Sequence, residues 1–473
     1  MKQFLYQQLA NQLKSQIQDH IWQADEKLPS IRVLSDRHKI SKISVQKALQ
    51  ELEAMGLIHA KPRSGYYVAK QATAKVSEFT QPQIAAPSLI QVPDIFLDIM
   101  RLSAAFDIYP KAGIEIDNQS IQLLHRHINR AMRQHASKNA LYYGDPTGDP
   151  ALKKQIAQHY RARNVIIEPE DICITAGCQN SLFLALSSVC QTGDTIAIES
   201  PAFYGVLQLA QSLGLRVIEI SASATQGMDT DILQSALEIW PIKACIVTSN
   251  FATPTGACMP AKAKQSLVDL AKEHDFTIIE DDIYGDLGFH VLPEPVKAID
   301  RDEHTILCSS FSKSLSRDLR IGWVIGAKYH QQIIHHKLVH HLSSNQALQQ
   351  GLASFIANGD FRRHLLQYRQ QLKKQRDALI AAINQYWQFS FSYTVPDGGL
   401  AIWIKLDEPI DTVELYKRAL KQDIVLTPGA LFSTSQSYQN CLRLSFVHPI
   451  EGARKQALTM VNRLVFEMKK RAI

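Results

Sequence analysis

The sequence predicts an α/β protein in two parts: a small N-terminal winged helix-turn-helix, then a large α/β body that ends in a smaller α+β lobe. Three observations lead there. Three short helical stretches and two β-rich runs occupy residues 1–70. From about residue 96, short β-branched runs alternate with helical stretches, the pattern of a largely parallel sheet. From about residue 360, long polar helices precede two further β-rich runs.

In the first part Leu5, Leu9, Leu13, Ile17 and Ile21 recur every four positions, one face of a helix. Leu28-Pro29-Ser30 closes a loop, with Ser30 placed to cap a second helix from Ile31 to about His38. Ile40-Ser41-Lys42-Ile43 opens a third helix, with Val45, Ala48, Leu49, Leu52 and Met55 on one face and Gly56 as its stop. Residues 57–68 read as two strands around the basic turn Lys61-Pro62-Arg63-Ser64-Gly65. Residues 71–93 are rich in Ala, Gln, Pro, Ser and Thr with little periodicity, so 71–95 is predicted as a linker between a module of 1–70 and a body of 96–473.

The β-runs of the body are Ile172-Cys173-Ile174-Thr175, Thr195-Ile196-Ala197-Ile198, Arg216-Val217-Ile218-Glu219-Ile220, Ala244-Cys245-Ile246-Val247-Thr248, Thr277-Ile278-Ile279 and Thr305-Ile306-Leu307-Cys308. The last lobe contains Leu400-Ala401-Ile402-Trp403-Ile404 and Cys441-Leu442-Arg443-Leu444-Ser445-Phe446.

Composition narrows the function. The 473 residues are 45% hydrophobic and 20% charged, ordinary for a globular chain of two or three domains. No apolar run has the roughly 18 residues a membrane helix needs, and the N-terminus lacks a secretory pattern. Seven cysteines, odd in number and without a CxxC pair, fit a cytoplasmic protein with reduced thiols and no membrane partner. The net charge of +6 is uneven: residues 1–70 hold 11 basic and 6 acidic side chains. That places +5 in the first seventh of the chain, the pattern of a small module that meets a polyanion. No HExxH motif occurs, His335-His336 and His340-His341 share one helical stretch, and no metal site is expected.

The chemistry lies in an ordered set of elements. Thr175-Ala176-Gly177-Cys178-Gln179-Asn180-Ser181 leaves a strand and opens a helix, whose N-terminal dipole and N–H groups suit a phosphate. Glu280-Asp281-Asp282-Ile283-Tyr284 ends another strand, offering a carboxylate and a phenol at the sheet edge where α/β ligands bind. Ser309-Ser310-Phe311-Ser312-Lys313 and Arg320 follow a third strand. A phosphate cradle, a carboxylate with a tyrosine, then a lysine and an arginine are what pyridoxal phosphate requires.

Residues 1–70 resemble the GntR winged-helix family through Leu28-Pro29-Ser30-Ile31-Arg32 and Ser41-Lys42-Ile43-Ser44-Val45. The body resembles fold-type I aminotransferases through Tyr143-Gly144-Asp145-Pro146-Thr147-Gly148, Pro254-Thr255-Gly256, Asp281-Asp282-Ile283-Tyr284, Ser310-Phe311-Ser312-Lys313 and Arg443. Their fusion in this order is similar to the MocR subfamily of transcriptional regulators. Each motif alone is weak, but seven in order are specific.

The resemblance implies that Lys313 carries pyridoxal 5'-phosphate through an imine, with Asp281 on the ring nitrogen and Tyr284 on the ring oxygen. Phe203 would stack on the ring, with Tyr204 as the second choice. Cys178, Gln179, Ser310, Ser312 and Arg320 would hold the phosphate, and Arg443 the α-carboxylate of a substrate or effector. Tyr143 could reach the phosphate of a neighbouring subunit, since fold-type I sites lie at a homodimer interface. One departure is Thr253, where the family usually has an Asn that donates to the ring oxygen. Asn250 is a possible substitute. Another is Ser316-Arg317-Asp318, where the family usually has Pro-Gly.

A helix-turn-helix reads the major groove with the N-terminal residues of its second helix. Here these are Ser41, Lys42, Ser44, Gln46 and Lys47, of which Gln46 could pair with adenine and Lys42 could reach guanine or a phosphate. Arg32 matches a DNA-contacting arginine of the GntR family, and Arg63, Ser64 and Gly65 form the wing. The expected function is a cytoplasmic regulator that binds double-stranded operator DNA and senses an amino compound or the cofactor vitamer itself. The alternative is a working aminotransferase, on amino and 2-oxo acids, that carries a DNA-binding appendage.

Overall fold

The computed structural model describes residues 5–18, 21–23, 26–54, 57–61, 64–68, 85–90, 94–103, 106–113, 119–135, 142–407, 409–435 and 437–472. Met55, Gly56 and the wing residue Arg63 lie outside these, as does most of the predicted linker. The chain forms two units, Met1–Thr73 and Ala74–Ile473.

The small unit has helices Leu5–Gln18, Ile31–His38 and Lys42–Ala54, then the antiparallel strands Ile58–Lys61 and Gly65–Val68. Ser30 caps the second helix as its position implies, accepting from the Val33 N–H at 3.4 Å. Leu9, Leu13, Leu34, Val45, Leu49, Leu52 and Val68 close one core between helices and hairpin. Ile21 departs from expectation. The first helix ends at Gln18, the Ile21 N–H turns back to the Gln16 carbonyl at 2.9 Å, and the side chain is exposed. That backward hydrogen bond over five residues is a helix-ending turn, and it overrides the four-residue repeat. Residues 26–28 add an unforeseen third edge to the hairpin. The Leu28 N–H donates to the Tyr66 carbonyl and the Val68 N–H to the Glu26 carbonyl.

In the body every β-run named above coincides with or overlaps a strand, with Thr248, Leu400 and Phe446 falling one residue outside. The main sheet runs Ser88–Leu89, Arg216–Ser223, Thr195–Ser200, Ile242–Val247, Thr277–Asp281, Thr305–Ser310, Gly322–Ile325, Ile172–Thr175. Its five central strands from Arg216–Ser223 to Thr305–Ser310 are parallel, and Gly322–Ile325 pairs antiparallel with both its neighbours. Continuous burial of strands such as Thr277–Asp281 explains why they read as unbroken apolar runs rather than alternating ones. The smaller lobe is an antiparallel sheet in the order Phe391–Tyr393, Ala401–Leu406, Cys441–Ser445, Thr427–Pro428. The helices Asp360–Tyr386 and Gly452–Ala472 share its core with Ile402, Trp403 and Leu442.

Lobe and sheet are joined side by side at Glu219 and at Ala202. The Glu219 carboxylate accepts from Ser200 Oγ at 2.5 Å, Ser433 Oγ at 2.7 Å, Thr434 Oγ1 at 2.6 Å and the Thr434 N–H. Beside it the Ala202 N–H donates to the Phe432 carbonyl at 2.8 Å. No helix among the described residues is long and apolar enough to cross a membrane, and no group of three or more metal-ligating side chains occurs among them.

Candidate functional site

Three strand ends and one helix start meet at the carboxyl edge of the main sheet. They surround a cavity of about 140 Å³ lined by Cys178, Gln179, Phe203, Asp281, Tyr284, Ser310, Ser312, Lys313 and Arg320, together with Leu182 and Ile283. Nine side chains that lie up to 142 positions apart in the sequence are thus brought together.

The helix Cys178–Val189 begins at Gly177, whose φ of +99° and ψ of 169° belong to a region essentially reserved for glycine. A Cβ there would stand 2.7 Å from Arg320 Nη2. Arg320 Nη2 donates to the Ala176 carbonyl at 3.0 Å, which holds the guanidinium across the helix start. We expect Gly177→Ala to cost about 1–3 kcal/mol of stability and to loosen the cradle. A thermal melt matching the wild type would refute this.

Asp281 ends its strand with both neighbours donating to it: Cys178 Sγ at 3.2 Å and the Ile283 N–H at 3.1 Å from Oδ1. Burial pushes its carboxyl up to about 6, against the lowering effect of those two donors. Burial, then the nearby Arg317 and Arg443 guanidiniums, hold the Lys313 amine well below the ordinary lysine range, while Asp281 pulls the other way. The result favours the neutral, nucleophilic amine. Burial raises the Tyr284 phenol, which keeps it an O–H donor, and Thr253 hydrogen-bonds to it.

Phe203, not Tyr204, lines the cavity. The two rings are 4.8 Å apart, and Tyr204 turns toward Phe432 at 5.8 Å. Gln179 Nε2 donates to the Gly205 carbonyl at 2.8 Å, so its side chain braces the Phe203 turn. The Ser312 N–H donates to Ser310 Oγ at 3.3 Å. Arg443 is 2% exposed on the strand Cys441–Ser445.

Asn250 does not join them. Its amide nitrogen donates to Asp282 Oδ1 at 3.3 Å and the Glu294 carbonyl at 3.4 Å, and its oxygen accepts from Lys264 Nζ at 2.6 Å. With both ends committed to that buried network, the Asn250 amide is no substitute for the family's missing Asn. Asp282 itself is spent on Arg163, whose Nη2 donates to it at 2.7 Å, and on Tyr160. Tyr143 is 81% exposed and does not line the cavity.

In the small unit Arg32, Ser41, Lys42, Gln46, Lys47, Ser64 and Gly65 are exposed, and Ser44 is half-buried. Several of them already have partners: Ser41 Oγ accepts from the Ser44 N–H at 3.1 Å and shares a hydrogen bond with Ser44 Oγ at 3.0 Å, capping the third helix, and Ser64 Oγ shares one with Tyr67 Oη at 2.7 Å. Lys47 Nζ lies 4.3 Å over the Tyr6 ring. Ile43, on the same turn, is 80% exposed and was not among the expected contacts. An apolar side chain there suits a thymine methyl group.

The class I and II aminotransferase family matches residues 115–457, and the gntR family of bacterial regulatory proteins matches residues 5–68. The HTH-type transcriptional regulator YjiR of Escherichia coli (strain K12) is 36% identical over 465 residues, covering 98% of each chain. The chain belongs to the GntR regulators, in the MocR subfamily. YdcR, an HTH-type transcriptional regulator from the same organism, is 33% identical over 98% of this MocR-type chain and 99% of its own. Among solved structures, the kynurenine aminotransferase of Pyrococcus horikoshii is similar at 25% identity and a TM-score of 0.70, over 80% of this chain and 95% of its own. The multiple substrate aminotransferase of Thermococcus profundus gives 25% and 0.72, over 80% and 96%.

This MocR-type protein is therefore a DNA-binding transcriptional regulator with an aminotransferase-like body, and its family implies pyridoxal phosphate. The residues present fit that cofactor. Ser312 Oγ is buried without a hydrogen-bond partner, as are Arg443 Nε and Nη1. Buried polar atoms left unpaired are costly, so they mark places for an anion. At Gly177 a Cβ would stand 2.7 Å from the Arg320 guanidinium, so the bare backbone leaves the helix start open beside that cation, as an anion such as a phosphate requires.

Proposed function

We propose that this regulator is a cytoplasmic homodimer that senses an amino compound carrying an acidic group, or the cofactor vitamer, at the cavity around Lys313. The observation that carries the reading is the buried Arg443 guanidinium with two unpartnered nitrogens, set near the low-pKa amine of Lys313. An amine acceptor beside a buried carboxylate receptor selects amino acids and their close relatives. When bound, the cofactor supplies an aldehyde that takes up amines and a ring that withdraws electrons from them.

The roles follow for the chain's own groups. Lys313 would offer its amine, and Asp281 would supply negative charge to the ring nitrogen. Tyr284, supported by Thr253, donates to the ring oxygen, and Phe203 covers the ring face. Cys178, Gln179, Ser310, Ser312 and Arg320 surround the phosphate, with Tyr143 reaching the partner's phosphate from its exposed position. Residues 1–70 form the DNA module, 71–95 the linker and 96–473 the cofactor-binding body. Arg32, Lys42, Gln46 and Lys47 face the operator, with Ser41 and Ser44 setting the helix start and Arg63, Ser64 and Gly65 forming the wing. Ligand uptake favours one arrangement of the protein, and operator affinity shifts by that difference.

The convergence of nine of the thirteen expected side chains on one cavity favours a second reading, a working aminotransferase with Thr253 in place of the usual amide. Steady turnover of an amino acid with 2-oxoglutarate supports it, whereas a spectral change that stops after one equivalent supports the sensor. The deciding experiment follows the visible spectrum and operator affinity of the purified protein while an amino-acid panel is added. No response to any amine would defeat the sensor.

The DNA module carries its own prediction. Operator binding should weaken steeply with salt, and replacing Lys42 and Lys47 together should flatten the logarithmic slope by up to about two. An unchanged slope excludes both as phosphate contacts.

A further inference from the structure

One aromatic ring stands where an acidic ligand is to be received. The Phe106 centroid is 3.9 Å from Lys313 Nζ, 4.4 Å from Arg443 Cζ and 4.8 Å from Arg317 Cζ. The same ring also walls two smaller hollows, one with Thr253 and Tyr284 and one with Arg443 and Thr427. One amine and two guanidiniums thus gather on a single neutral ring. A ring face attracts a cation but offers no oxygen to a guanidinium, and Arg443 Nε and Nη1 indeed lack an acceptor. A carboxylate in the ring's place would give the guanidinium the acceptor it lacks.

The backbone shows how the ring is held. Phe106 has φ +53°, the left-handed region that a bulky residue adopts only under constraint. The next two residues supply the constraint. Asp107 is paired with Arg454 at 2.9 and 2.7 Å, and the Ile108 carbonyl accepts from the Val425 N–H at 2.9 Å. The backbone is thus held on the side that follows Phe106, and its ring is buried in the lobe's core.

We propose that Phe106 is a specificity-determining gate: its ring occupies the subsite for the ligand's acidic group, and an amino compound bearing a carboxylate binds by turning the ring off Arg443. The proposal rests on the roles given to Lys313 and Arg443 above. A ligand with an acidic group recovers the cost of moving the ring through its hydrogen bonds to Arg443. A simple amine has no such return and leaves the ring in place.

The test uses the cofactor-loaded full chain as wild type, Phe106→Leu and Phe106→Ala, titrated with L-alanine and with methylamine while the visible absorption is followed. Phe106→Leu keeps apolar bulk, so it serves even if the alanine variant fails to fold. The half-saturating L-alanine concentration should fall about tenfold in either variant, with methylamine unchanged. Unaltered or weaker L-alanine binding in both overturns the gate. An equal gain for methylamine overturns the placement of the ring in the acid subsite. No response to either amine in any variant defeats the gate together with the assignment of Lys313, and borohydride reduction of the same samples then reports on Lys313 separately.

Discussion

Lys313→Ala will leave the purified protein without the visible absorption that borohydride reduction discharges, and operator affinity will no longer respond to amines. The first effect follows from the loss of the one amine that lines the cavity. The second follows because ligand uptake shifts an equilibrium only through differential binding, and that binding is routed through the same nitrogen. Folding should survive. Burial and the Arg317 and Arg443 charges hold the Lys313 pKa well below the ordinary lysine value. The folded state therefore binds that proton less well than the unfolded chain, and below the unfolded lysine value the group counts against stability. The cofactor-free variant should melt at the wild-type temperature or above it. Retained reducible cofactor in the variant, or an unchanged amine response, would disprove the assignment.

Asp281→Asn should act in opposite directions on folding and on cofactor retention. The carboxyl is pushed up to about 6 from its usual 3.8, chiefly by burial. A raised carboxyl pKa means that the folded state holds its proton more tightly, so stability is lost as pH rises from 3.8 through about 6. Above that window the loss amounts to about 3 kcal/mol in the cofactor-free protein, at 1.36 kcal/mol per unit. Asn removes the ionisation and still accepts from the Ile283 N–H, so cofactor-free stability at pH 7 should rise and its pH dependence across the window should flatten. Cofactor affinity should fall at least a hundredfold, because removing one member of a buried charge pair costs about 3–5 kcal/mol. Melting curves at pH 4.5 and 7, with and without pyridoxal phosphate, read both effects. A variant less stable than wild type at pH 7 without cofactor, or one that keeps its cofactor through dialysis, contradicts the argument.

Much of this was legible in the sequence because it rests on local rules. Apolar runs bounded by polar turns marked all six predicted strands, and Ser30 marked a helix start through its own hydroxyl. The ordered motifs placed Asp281, Tyr284, Ser310, Ser312, Lys313 and Arg320 around one cavity, together with the helix start at Cys178. The strand Gly322–Ile325 was read only as part of an arginine motif, since four residues after a turn carry little periodicity. Phe106 was invisible. Its importance comes from contacts with residues more than two hundred positions away, and nothing in Ala105-Phe106-Asp107 announces a left-handed backbone. Asn250 failed for a related reason. An amide three residues from the expected one is plausible on spacing alone, but Lys264 and Asp282 had already claimed it.

The Glu219 carboxylate gives the small lobe mechanical leverage on the optical site. It ties the strand Arg216–Ser223 and Ser200 to the turn at Ser433 and Thr434, and the adjacent Ala202–Phe432 bond lies one residue before Phe203. The Phe203 ring that lines the cavity is therefore anchored across the seam between lobe and sheet. A swing of the lobe would pull on that ring, so the visible spectrum of the cofactor-loaded protein is expected to gauge its posture without a label.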